Sequence, residues 1–150
     1  MSTPFKVQQI DHVELFVPDF DAALEWYRDV LGLVPVEKAK LWAESGEPHM
    51  ISSDGGNTML ALFHGEGLGD REMHGLRQVA FRVDAGGFMD FLEHIEHVDV
   101  RNRNGDRLTR DEVVDHDLAW SIYFCDPWGN RFEVTSYDHD ELQESLNDQT

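Results

Sequence analysis

His12, Gln78 and Glu133 are the side chains through which this 150-residue chain could do metal chemistry. Each lies in a run with alternating apolar positions, and side chains of a strand alternate between its two faces. From Ile10 to Val17, the apolar residues Val13, Leu15 and Val17 share one face, which leaves His12 on the other with Ile10, Glu14 and Phe16. From Leu76 to Val83, Val79, Phe81 and Val83 share a face and Gln78, Ala80 and Arg82 point the opposite way. Gln78 holds the place in the second run that His12 holds in the first. From Arg131 to Tyr137, Phe132 and Val134 alternate with Glu133 and Thr135, so Glu133 also faces away from its apolar layer. An imidazole nitrogen, an amide oxygen and a carboxylate could bind one divalent cation, and three ligands leave positions open for a substrate. The alternative is that these are polar strand residues satisfied by water or backbone, and spacing alone favours it.

Proton carriers come next. His64 and Tyr123 are the candidate catalytic residues; an imidazole titrating near pH 6.5 suits proton shuttling. His64 closes the run Met59 to Phe63 and shares a face with Leu60, and its plainer reading is a solvated strand end. His49 and His116 are further candidates, His94 and His97 read as solvated helix residues, and His74 could replace Gln78 only if the strand slipped by four residues. Trp42, Trp120, Trp128 and Tyr123 could line an apolar pocket, with Trp120 expected in the core and Trp128 exposed. The single cysteine, Cys125, cannot form an intramolecular disulfide and reads as an inert core thiol.

The elements that must position these residues form a repeat. The first strand is followed by a helical face of Phe20, Ala23, Leu24, Tyr27 and Leu31, with Asp19 as N-cap and Gly32 as the residue that ends the helix. The second strand leads through Asp84 into a face of Phe88, Phe91, Leu92 and Ile95. Strand-like runs follow each helix: Leu33 to Glu37, Leu41 to Ile51 and Asn57 to Phe63, then Val98 to Arg101, Ala119 to Cys125 and Arg131 to Tyr137. Asp54-Gly55-Gly56-Asn57 and Asp126-Pro127-Trp128-Gly129-Asn130 supply equivalent turns before the two last strands. The order is βαβββ twice, an α+β class. We expect one domain over 1–150, with module 1 about 8–64, module 2 about 74–137, a polar loop over 102–117, and an acidic tail over 138–150 holding at most one short helix.

Thirty acidic residues against twelve basic ones give a net charge of −18. Such a field repels nucleic acid and anionic membranes, so neither is an expected partner. The acids are spread among ordinary apolar patterning, which suits a halophilic, salt-screened cytoplasm rather than a disordered tail. No run approaches the roughly 20 apolar residues of a membrane span, and a cytoplasmic protein is expected.

Ile10-Asp11-His12-Val13, the segment Trp26 to Leu33, Gly75 to Val83, and Ser121 to Glu133 with its Asp-Pro-x-Gly-Asn-x-x-Glu run resemble the vicinal oxygen chelate superfamily of glyoxalases, bleomycin resistance proteins and extradiol dioxygenases. The resemblance implies two βαβββ modules whose mixed sheets form a concave cleft, and a divalent metal chelating two neighbouring substrate oxygens. On it, His12 matches the first ligand, Gln78 stands where histidine is common, and Glu133 matches the last. The fourth position, often Glu in glyoxalase I, falls near Leu60 or Ala61, neither of which can ligate. A three-ligand set is closer to extradiol dioxygenases or fosfomycin-resistance enzymes than to glyoxalase I, and Gln78 tilts preference towards harder ions. The expectation is a metal-dependent dioxygenase or lyase using Fe²⁺ or Mn²⁺ on a small oxygenated molecule. The alternative is a metal-free, bleomycin-resistance-like binding protein with a degenerate site and no cofactor. Family members often pair, so a homodimer is a further expectation.

Overall fold

The computed structural model describes residues 5, 6, 8–65 and 75–148; His74 lies outside them. The chain forms two compact units, Met1–Arg71 and Glu72–Thr150.

In unit 1 the order is β1 (His12–Val17), α1 (Phe20–Leu31), β2 (Val34–Pro35), α2 (Lys40–Glu44), β3 (His49–Ser52) and β4 (Met59–His64). The sheet runs β1-β4-β3-β2, with β1 parallel to β4 and the other pairs antiparallel. Asp19 caps α1 by accepting from the Ala22 amide at 2.8 Å, and Gly32 ends it at φ 67°. Ala23, Tyr27 and Val30 of α1 are buried, as are Leu15, Val17, Ile51, Leu60 and Leu62 of the sheet. Each large side chain fully withdrawn from water contributes about 1.5–3 kcal/mol.

In unit 2 the order is β5 (Val79–Arg82), α3 (Ala85–His94), β6 (Val114–Asp115), β7 (Trp120–Cys125), β8 (Arg131–Ser136) and α4 (His139–Asn147). Its sheet, β5-β8-β7-β6, repeats the arrangement of the first, with β5 parallel to β8. Asp84 caps α3 through the Gly87 amide at 2.8 Å. Phe88, Phe91, Leu92 and Ile95 are buried with Ile122, Phe124, Phe132 and Val134, and Phe91 meets Phe124 at 5.4 Å between ring centroids. Two four-stranded mixed sheets with helices make this an α+β fold of the expected class.

Two expected strands differ. The run Leu41 to Ile51 is not continuous, because Lys40–Glu44 forms α2 and β3 starts only at His49. Lys, Leu, Ala and Glu are strong helix formers, and Lys40 reaches Glu44 across one turn at 3.9 Å. Val98 to Arg101 supplies only a bridge residue, Arg101, which pairs with Arg107 and Cys125; the fourth strand of this sheet is Val114–Asp115. The segment 102–117 is therefore built rather than loose, with a tight turn at 102–106 and a 3-10 turn at Arg110–Glu112 closed by Thr109 and Glu112. The tail carries α4, whose Leu142 is fully buried. Among the described residues no helix is long and apolar enough to cross a membrane.

Candidate functional site

Strand register fixes which side chains share a face. In unit 1, Glu14 pairs with Ala61, Leu15 with Leu62, and Met50 with Ala61. Leu15 and Leu62 are buried on the face that also carries His64, whose ring meets Phe20 of α1, so His12, Glu14, Met59 and Ala61 lie on the opposite face. His12 Nδ1 donates to Asp11 Oδ2 at 2.8 Å, which fixes the tautomer and leaves Nε2 as the lone-pair nitrogen. A carboxylate behind one ring nitrogen is the usual support of a metal-bound imidazole. Nε2 is 3.8 Å from Glu14 Oε1.

Ala61 is wholly buried in an apolar cluster with Val36, Ala39, Met50 and Met59, against which Phe63 packs. Met50, Val36 and Ala39 also line a cavity of about 190 Å³ that reaches Lys40 and His49. The fourth-ligand position therefore holds methyl and thioether groups in place of a carboxylate.

His64 pairs with Val17, and its ring stands edge-on to Phe20, the first residue of α1, at 6.2 Å. The ring of His49 lies 4.1 Å from the same phenylalanine. The structure thus groups His49 and His64 around Phe20 on the helix side of the sheet, and does not bring either to the face of His12.

In unit 2, Glu133 pairs with Ala80 on one side and Tyr123 on the other, which puts the three on one face, opposite the α3 layer of Phe132 and Val134. Gln78 Nε2 donates to Glu133 Oε2 at 2.7 Å, and Gln78 Oε1 accepts a hydrogen bond from the Arg103 guanidinium. Arg103 also lies over the Tyr123 ring, 4.7 Å from its centroid, and the Tyr123 hydroxyl meets His116 Nε2 at 2.7 Å. The result is one connected array, Glu133–Gln78–Arg103–Tyr123–His116. It joins a half-buried carboxylate to a cationic donor fork and a phenol–imidazole pair.

This array brings together Gln78, Glu133, Tyr123 and His116, all singled out in the sequence, and adds Arg103, which was not. Arg103 sits in a segment without periodicity; the signal available was the gathering of Arg101, Arg103, Arg107 and Arg110, four of the twelve basic residues, within ten positions. Gln78 offers its oxygen to Arg103, so its link to Glu133 is one of positioning. His12 and Glu133 keep donor atoms suited to a cation, namely Nε2 and Oε1. Among the described residues no three His, Cys, Asp or Glu side chains are gathered as a metal cage; beside His12 stand Asp11 at Nδ1 and Glu14 at Nε2.

Elsewhere, Trp120 is half-buried and stacks on His139, Trp128 is half-buried in its turn, and Trp42 is exposed on α2. Burial pushes the Cys125 thiol up, which fits an unreactive group.

Residues 9–134 match the family model described as Glyoxalase/Bleomycin resistance protein/Dioxygenase superfamily. The chain is 30% identical over 129 residues to the metallothiol transferase FosB of Staphylococcus saprophyticus, covering 85% of this chain and 76% of that protein. Among solved structures, a glyoxalase/dioxygenase from Nostoc punctiforme superposes with a TM-score of 0.63 at 20% identity, over 91% of this chain and 96% of that one. The fosfomycin resistance protein FosX of Listeria monocytogenes, complexed with Mn(II) and sulfate, superposes with a TM-score of 0.57 at 15% identity, over 94% of this chain and 99% of that one.

Proposed function

Because the chain belongs to the Glyoxalase/Bleomycin resistance protein/Dioxygenase superfamily, we propose that it is a metal-assisted enzyme acting on a small, anionic, oxygenated organic molecule. The observation that carries this reading is the tie of Arg103 to Glu133 through Gln78. A guanidinium fork beside a carboxylate suits a substrate with one anionic end and one reacting oxygen. Catechols, the substrates of the dioxygenase expectation, lack such an anionic end. The named relatives support the same direction, since one is a metallothiol transferase and another a fosfomycin resistance protein holding Mn(II).

In this reading His12 and Glu133 hold the ion, manganese or iron. Bound there, it would polarise a substrate oxygen as a Lewis acid. Asp11 keeps Nδ1 of His12 protonated, so that Nε2 is the coordinating atom. Gln78 holds Glu133 by one oxygen and leaves the other to coordinate. Arg103 orients the anionic group, and the Tyr123 hydroxyl, relayed by His116, delivers or removes a proton. His64 has no part in this scheme.

The test is Mn²⁺-dependent turnover. Fosfomycin, with water or cysteine as the nucleophile, and catechol with dioxygen would be offered to the manganese-loaded chain and to Glu133→Gln. We expect loss of fosfomycin, at least about a hundredfold slower in the variant, and no catechol cleavage. Catechol cleavage would restore the dioxygenase expectation.

A second reading is favoured by the occupied oxygen of Gln78. If Arg103 is the resident cation of this array, the protein is a metal-free binder of small anions. Saturable binding of fosfomycin without metal, and no turnover with it, would establish that reading and overturn the first.

A further inference from the structure

The two units carry the same pair of neighbouring positions on the face away from the helix, with the carboxylate on different strands. In unit 2, Ala80 of the first strand pairs with Glu133 of the last. In unit 1, Glu14 of the first strand pairs with Ala61 of the last. Val79↔Phe132 and Val13↔Leu60 are the preceding pairs in both sheets, so the positions are equivalent by register and not merely by spacing. One glutamate and one alanine occupy the two places in each unit, in opposite order.

We propose that Glu14 is a metal ligand, supplying from β1 the carboxylate that β4 lacks at Ala61. The inference rests on the reading of a cation at His12. Paired residues of adjacent strands stand about 5 Å apart, a distance a glutamate side chain spans. Glu14 and His12 are two residues apart on one strand and share its face, and Glu14 Oε1 is 3.8 Å from His12 Nε2. Two donors each about 2.1 Å from one ion lie at most about 4.2 Å apart, so one ion can touch both atoms.

The return of the carboxylate to position 61 is blocked by packing. Ala61 is wholly buried against Val36, Ala39 and Met50, where an ionised glutamate would be stranded among apolar groups. Glu14 lies at the open side of the same pair, with 59% of its side chain exposed, and binding an ion there requires no rearrangement of the apolar cluster. A second hard oxygen donor also shifts the set away from zinc and towards manganese, iron or magnesium.

The experiment is calorimetric titration of Mn²⁺ into the metal-stripped full chain, into Glu14→Gln and into His12→Ala, each at low salt and at about 1 M KCl, where the field of a charge is screened within about 3 Å. The expected result is binding by the wild type and an affinity at least about tenfold weaker in Glu14→Gln at both salt concentrations. Substitution at so exposed a position leaves folding intact, and a melting curve of the variant checks this. Glu14→Gln matching the wild type within twofold, or matching it once salt is added, would overturn Glu14 as a ligand while leaving the cation at His12 in place. Equal binding by His12→Ala, or none by the wild type, would overturn the cation at His12 and this proposal with it.

Discussion

Arg103 departs from what a chain with thirty acidic and twelve basic residues would be expected to do with a guanidinium. Its contacts are a neutral amide oxygen and an aromatic face. A charge so held is available to an incoming anion, and a hydrogen bond to a charged group contributes about 1.5–3 kcal/mol. Arg103→Ala is therefore expected to raise KM for an anionic substrate by at least about tenfold and to leave Mn²⁺ affinity undiminished. Steady-state kinetics beside calorimetry separates the two, and loss of metal binding with KM unchanged would contradict the role. The faces of His12 and Glu133 were legible because strand alternation assigns a face to every residue. Arg103 was not, because nothing local in 102–117 says where a turn will deliver its side chain. His64 shares the face of Leu60 as the alternation implied, and register shows that this face is the buried one, which puts the ring beside Phe20.

The caps and turns were the most legible elements, because each depends on a few neighbouring atoms. Asp54 and Asp126 each accept backbone amides two to four residues on, in equivalent turns. The Ser52 hydroxyl and the Thr58 amide hold the Asp54 carboxyl below its usual range. The short strand β6 and the helix α2 were not legible, since pairing partners far along the chain decide them, whereas β2 falls within the expected run Leu33 to Glu37. Nor was the way α4 is fastened. His139 Nε2 meets Asp115 Oδ1 at 2.6 Å, with Trp120 stacked on the ring and Asp140 3.7 Å from the other nitrogen. Asp115 raises the His139 pKa above 6.5, and His139 in turn lowers that of Asp115 below 3.8. The histidine contribution is complete below pH 6.5 and is lost as pH rises through its raised value. The aspartate contribution is complete above pH 3.8 and is lost as pH falls through its depressed value. Hydrogen exchange should therefore find the α4 amides best protected between these limits and progressively less so in mild alkali. Protection unchanged from pH 5 to pH 9 would contradict the fastening.

At the scale of the chain, the repeat was legible because both halves use the same devices in the same order: a strand, an Asp-capped helix, and an Asp-anchored turn before the last strand. The chemistry was less legible, because the halves have diverged at the positions that matter. His12 is repeated as Gln78, and the glutamate of the paired strands changes sides between units. His12, Gln78, Glu14 and Glu133 lie on the face away from the helix, whereas Ala61 is packed in the apolar cluster of unit 1. These substitutions bear on whether the protein is an enzyme or a binder, which turns on whether a cation binds as proposed. The direct measurement is metal content by plasma mass spectrometry, on protein purified without chelator or affinity nickel, beside Glu133→Ala. Near-stoichiometric manganese or iron is expected in the wild type, and its loss in the variant. A wild type that carries neither metal and takes up none when Mn²⁺ or Fe²⁺ is added would contradict the proposed cation.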